Sequence, residues 1–114
     1  MSNVMDGTSR FNFLELRSER RDEEHVVALA GDLDLEGAER VAQELRRAEA
    51  SDARRVVLDL SDLKFIDSNG IRLIIEADAR LRTEGERLAL IRGPQPVHRV
   101  FELTGVAERL PFVD

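Results

Sequence analysis

The sequence predicts a single α/β domain in which a mixed sheet of about four or five strands is flanked by about three or four helices. Three observations point there. Short apolar runs rich in β-branched residues alternate with stretches whose apolar residues recur every three or four positions. The 114 residues suit one core and not two. No internal repeat, low-complexity tract or shift of composition marks a second unit.

Residues 1–9 are polar and without period, so a flexible lead is expected there, with the domain spanning 10–114. Phe11–Leu16 reads as a strand, Glu19–Glu24 as a polar turn, and His25–Ala30 as a second strand ending at Gly31. Together they suggest a hairpin. From Leu35 the period changes: Leu35, Ala38, Val41, Ala42, Leu45 and Ala48 line one helical face, and Asp34 stands where an N-cap is wanted.

Val56–Leu60 has the look of a central buried strand, which Phe65-Ile66 either prolongs or follows. After Asp67-Ser68-Asn69-Gly70, helical spacing returns at Ile71, Ile74, Ile75, Asp78 and Leu81, with Gly85 as a terminator. Leu88–Ile91 is another short strand. Pro96 suits the first turn of a third helix carrying Val97, Val100, Phe101 and Thr104 and stopped by Gly105. A last, weak strand signal lies in Leu110–Val113.

Composition narrows function. There are 17 basic and 23 acidic side chains, a net charge of −6, and the basic ones are scattered, which argues against a nucleic-acid partner. The chain has no cysteine, so thiolate chemistry, disulfides and Cys-ligated zinc drop out, and a cytoplasmic setting fits. No apolar run approaches the roughly 20 residues that cross a bilayer, and Met1–Arg10 lacks a signal peptide's apolar stretch, so no membrane role is expected.

The inventory disfavours an enzyme. The two histidines, His25 and His98, sit in no metal-binding spacing and read as structural, and no phosphate-binding, dinucleotide or nucleophile-elbow motif occurs. Carboxylates are plentiful, but Glu36, Glu39, Glu44 and Glu49 read as a solvated helix face paired with Arg40 and Arg47. No catalytic residue, metal or cofactor is expected.

The loop between the central strand and the second helix is more specific. It places the Ser68 hydroxyl at or beside a helix N-terminus, where free N–H groups and a positive dipole can hold a phosphate. A phosphoserine adds roughly −1.5 to −2 charge. It would arrive beside Asp67, and near Asp32 and Asp34 if the sheet brings that earlier loop alongside. An Asp-Ser-Asn run is also what an ordinary N-cap uses, and Asn-Gly is a common turn pair. From these residues alone both readings stand, and capping is the simpler.

Gly31-Asp32-Leu33-Asp34, then Val56–Leu60, then Phe65-Ile66-Asp67-Ser68-Asn69-Gly70-Ile71, in this order and spacing, resembles the STAS domain of bacterial anti-sigma-factor antagonists. Val100-Phe101-Glu102-Leu103-Thr104-Gly105-Val106 is similar to that family's closing helix. The resemblance implies a partner switch. The unphosphorylated antagonist binds an ATP-using anti-sigma factor serine kinase and frees the sigma factor, phosphorylation of Ser68 ends binding, and a serine phosphatase restores it.

By the same matching, Asp32, Asp34, Asp67, Ser68, Asn69, Gly70, Ile71 and Arg72 are expected at the partner surface. Asn69 departs from the family's frequent second Ser or Thr, Arg72 from its commoner Gly, and Asp32 from its frequent Glu. The alternatives are a STAS module that binds without phosphorylation, such as a subunit associated with a transport ATPase or signalling assembly, and a small carboxylate enzyme. Modest apolar surface suggests a monomer in the absence of a partner.

Overall fold

The computed structural model describes residues 13–113. The expected lead at 1–9 and the first residues of the expected strand at Phe11 lie outside them. The elements run β1 (Leu14–Arg21), β2 (Glu24–Leu33), α1 (Leu35–Ala50), β3 (Arg55–Ile66), α2 (Ser68–Arg82), β4 (Leu88–Ile91), α3 (Gln95–Leu103) and β5 (Phe112–Val113). They form one five-stranded sheet in the order β1-β2-β3-β4-β5. The β1–β2 hairpin is antiparallel and the other three pairings are parallel.

Each parallel step passes through a helix and advances the sheet in the same direction. Right-handed crossovers then put all three helices on one face. The burial agrees: Val27, Leu29 and Leu33 of β2, Val56, Leu58 and Leu60 of β3 and Leu88 and Leu90 of β4 join the inner residues of α1, α2 and α3 in a single apolar cluster. The other face carries Val26, Ala28, Val57 and Ile91 among Arg17, Glu19, Arg21, Glu24 and Asp59. No described helix packs on that face.

The sequence placed the helices well and the strands less well. β1 runs on to Arg21, through residues expected to be turn, because only Asp22 and Glu23 are needed to reverse the chain. Asp22 takes the positive φ (54°) of a tight hairpin. β2 continues past Gly31 to Leu33. Gly31 adopts φ +93°, and a Cβ there would collide with the Phe13 carbonyl, which accepts the Asp32 N–H at 2.7 Å.

β3 absorbs Phe65-Ile66 into one 12-residue strand. Its buried positions pass from every second residue to every third, Leu60, Leu63 and Ile66, where the pairing with β2 shifts register. The described helices number three, and none is long and apolar enough to cross a membrane.

Both histidines sit in the framework. The His25 ring is 2.6 Å from the Ser18 hydroxyl, and His98 is buried on α3 with its ring edge-on to Phe112.

Candidate functional site

The C-terminal ends of β2 and β3 lie side by side, with Leu33 opposite Ile66. The backbone then repeats itself. Each strand is followed by an Asp in extended conformation that caps a helix, and by a glycine three residues on: Asp34-Leu35-Glu36-Gly37 and Asp67-Ser68-Asn69-Gly70. In both, the aspartate Oδ1 accepts the glycine N–H at 3.2 Å. Asp67 also accepts from the Asn69 N–H at 2.9 Å, and its own N–H reaches the Leu33 carbonyl at 3.1 Å, tying the two loops together.

Asp67, and not Ser68, is therefore the cap. Ser68 is the first helical residue of α2, exposed, and its hydroxyl makes no hydrogen bond among the described residues. Asn69 is half-buried and leans back on the other Asp67 oxygen at 3.4 Å. The first turn of α2 contains no acidic residue. Beyond the Asp67 carboxylate itself, no acidic side chain offsets the positive dipole at this helix end.

Gly70 and Ile71 lie beneath this surface. A Cβ on Gly70 would stand 2.8 Å from Ile66 Cγ1 and 2.9 Å from Leu33 Cγ, so the glycine lets α2 seat directly on the strand ends. Ile71 is buried in the core. The two contribute to the surface through the backbone they hold, not through side chains.

Arg72 is exposed, four residues from Ser68 and so on the same side of α2, and it makes no ion pair among the described residues. Asp34 lies on the helix side as the α1 cap. Asp32 does not join it: strand alternation turns it to the other sheet face, where it borders a shallow cleft of about 490 Å³ with Phe13, Glu15, Asp62 and Lys64. The carboxylates at the two adjacent helix starts on this side are Asp34 and Glu36 of the first loop and Asp67 beside Ser68.

Two apolar side chains at this end escaped the sequence reading. Leu35, assigned to the buried face of α1, is 68% exposed, because as first helical residue it occupies in α1 the place Ser68 occupies in α2. Phe65, two residues before the cap, is 46% exposed. The doubled Asp-x-x-Gly spacing was the available signal for Leu35. For Phe65 no sequence signal distinguished surface from core.

Comparison with known proteins places this arrangement. The family model described as Mlab, STAS domain matches residues 16–113. An anti-sigma F factor antagonist of Paenibacillus polymyxa is 28% identical over 90 residues, covering 78% of this chain and 77% of the relative. An anti-sigma-B factor antagonist of Listeria monocytogenes is 25% identical over 96 residues, covering 83% and 84%. Among solved structures, an anti-sigma factor antagonist from Mycobacterium paratuberculosis superposes with a TM-score of 0.78 at 24% identity, over 88% of this chain and 85% of that one. The unphosphorylated form of the anti-sigma factor antagonist SpoIIAA gives 0.73 at 22% identity, over 88% and 89%. The mixed sheet with helices on one face, the paired Asp-capped loops and a family match over nearly the whole described chain lead to one conclusion: this protein belongs to the STAS domain family.

Proposed function

We propose that the chain is an anti-sigma factor antagonist that works by partner switching, with Ser68 as the phosphoacceptor. Unphosphorylated, it docks the strand-end surface around Ser68 and Leu35 on an anti-sigma factor serine kinase, which then releases its sigma factor. Phosphorylation of Ser68 by that kinase ends docking, and a serine phosphatase resets it.

The observation that carries this reading is the division of labour at the loop. Asp67 satisfies the helix N–H groups, which leaves the Ser68 hydroxyl exposed and without structural duty. A serine there for capping alone would be spending its oxygen on the backbone. The added phosphate charge would have to be desolvated at an interface already holding Asp34, Glu36 and Asp67, which accounts for loss of binding.

Intact-mass measurement after incubation with the cognate kinase and ATP tests the site. One phosphate is expected on the wild type and none on Ser68→Ala. Binding of the two proteins tests the switch: Ser68→Ala should bind the kinase as the unphosphorylated wild type does, and Ser68→Glu should bind weakly. Equal phosphate uptake by Ser68→Ala would overturn the site, and undiminished binding by Ser68→Glu would overturn the switch.

A further inference from the structure

We infer that β1 is a dimerisation edge: two copies of this chain pair antiparallel along it, extending the two five-stranded sheets into one. Among the described residues, β1 has a neighbour, β2, on one side only. The phase of its free side is fixed by two hydrogen bonds. The Phe13 carbonyl points inward, accepting from Asp32 N, whereas the Leu14 carbonyl points outward and accepts from the Arg40 guanidinium at 3.1 Å. The two-residue turn closing on Arg21 and Glu24 gives the same alternation. The main-chain groups of Leu16, Ser18 and Arg20 therefore face away from the sheet.

An antiparallel partner must match outward-facing residues with outward-facing residues, so only registers two residues apart are allowed. With the two-fold axis at Ser18, Leu16 of each copy pairs with Arg20 of the other through main-chain bonds. On the open sheet face, Arg17 then lies opposite Glu19 of the second copy, and Glu15 opposite its Arg21. Those residues form the pairs without main-chain bonds, whose side chains approach most closely, at about 4.5 Å between Cα atoms. Arg21 already hydrogen-bonds Glu19 within each chain, so the seam becomes a row of alternating charge.

The neighbouring registers are penalised. One slip sets Arg17 against itself and Glu15 against Glu19; the other sets Glu19 against itself and Arg17 against Arg21. Like charges directly opposite are destabilising. Larger slips restore attraction but shorten the overlap. An edge protected merely by charge would need no such order, and Glu15-Arg17-Glu19-Arg21 is self-complementary in the one central register with full overlap. The expectation of a monomer rested on modest apolar surface, which main-chain pairing does not require. A seam of this kind is smaller than the roughly 1,600 Å² of a standard interface, so the dimer is weak and salt-sensitive. It leaves β3, whose end carries Ser68, two strands away.

Sedimentation velocity on the full chain up to about 1 mM, at low salt, tests this. The wild type should show a concentration-dependent monomer–dimer equilibrium. Arg17→Glu should weaken it at least about tenfold, as should Glu19→Arg, since each change turns two symmetry-related attractions into repulsions. The double variant Arg17→Glu/Glu19→Arg restores opposite signs across the seam and should recover dimerisation to within about threefold. Melting curves of each variant confirm folded chains. A wild type monomeric throughout the range, single variants that dimerise undiminished, or a folded double variant that stays monomeric would each overturn the proposal.

Discussion

Asp34 and Asp67 occupy equivalent steps of two successive strand–helix units, each accepting the N–H of a glycine three residues on at 3.2 Å. Asp67 also accepts from Asn69 N. Removing a capping side chain costs about 0.5–2 kcal/mol. Asp67→Ala and Asp34→Ala should therefore each cost about 1–2 kcal/mol. Ser68→Ala, which removes no bond, should stay within about 0.5 kcal/mol of wild type. Urea unfolding of the three variants gives the order; a Ser68→Ala loss as large as that of Asp67→Ala would return the capping role to serine.

The two motif glycines should differ in the opposite sense from their sequence likeness. A methyl on Gly70 meets Ile66 and Leu33, both buried and unable to retreat, at 2.8 and 2.9 Å. Gly70→Ala should cost about 1–3 kcal/mol from overpacking. A methyl on Gly37 meets the Leu14 Cδ2 at 2.8 Å, the end of a half-buried side chain at the sheet margin that can turn aside. The better helix propensity of alanine, about 1 kcal/mol, then offsets the contact, and Gly37→Ala should melt close to wild type.

How far the sequence revealed these features depended on whether burial had a regular period. The helices were legible because α1 and α2 keep Val41, Leu45 and Ala48, and Ile74, Ala77 and Leu81, on one side and begin at aspartate caps. Ile75, counted on the inner face of α2, is in fact 38% exposed. β1 was cut short because, past Leu16, its alternation is charge against charge and contains nothing apolar to follow; pairing to β2 holds it. The ends of β2 and β3 were obscured by register shifts that change the burial period. At the site, sequence could name Ser68 and Asp67 but not divide capping from exposure between them, since either side chain can cap a helix.

Arg87 ties the end of α1 to the start of β4. Its guanidinium donates to the carbonyls of Glu49 and Ala53 at 3.0 and 2.6 Å and to Glu84 at 2.6 Å, with the side chain only 14% exposed. The Glu49 carbonyl is one that a helix end leaves unpaired, and the Ala53 carbonyl lies in the loop just beyond it. Arg87→Met keeps the aliphatic packing but orphans them, at about 2–3 kcal/mol. Arg87→Lys should recover less than half, because an ammonium cannot span both carbonyls as the planar fork does. Thermal melts of the two variants check this, and equal stability of Lys and Arg would show that charge alone suffices.

Arg72 stands one turn from Ser68 near the N-terminus of α2, where a cation is unfavourable against the helix dipole. A phosphate on Ser68 reverses that relation, giving Arg72 an i,i+4 partner and the helix end an anion. Arg72→Ala should therefore leave the unphosphorylated protein unchanged or slightly stabilised, and destabilise the phosphorylated form by about 0.3–1 kcal/mol. The phosphate's second ionisation, ordinarily near pH 6, is drawn lower by both groups, so the coupling is strongest above that range and weakens as pH falls through it, without vanishing, because the monoanion keeps one negative charge. Melting all four species at two salt concentrations isolates the term: it should shrink at high salt. Equal effects of Arg72→Ala with and without phosphate would mean that the arginine does not meet the phosphate and is left for the kinase or phosphatase to read.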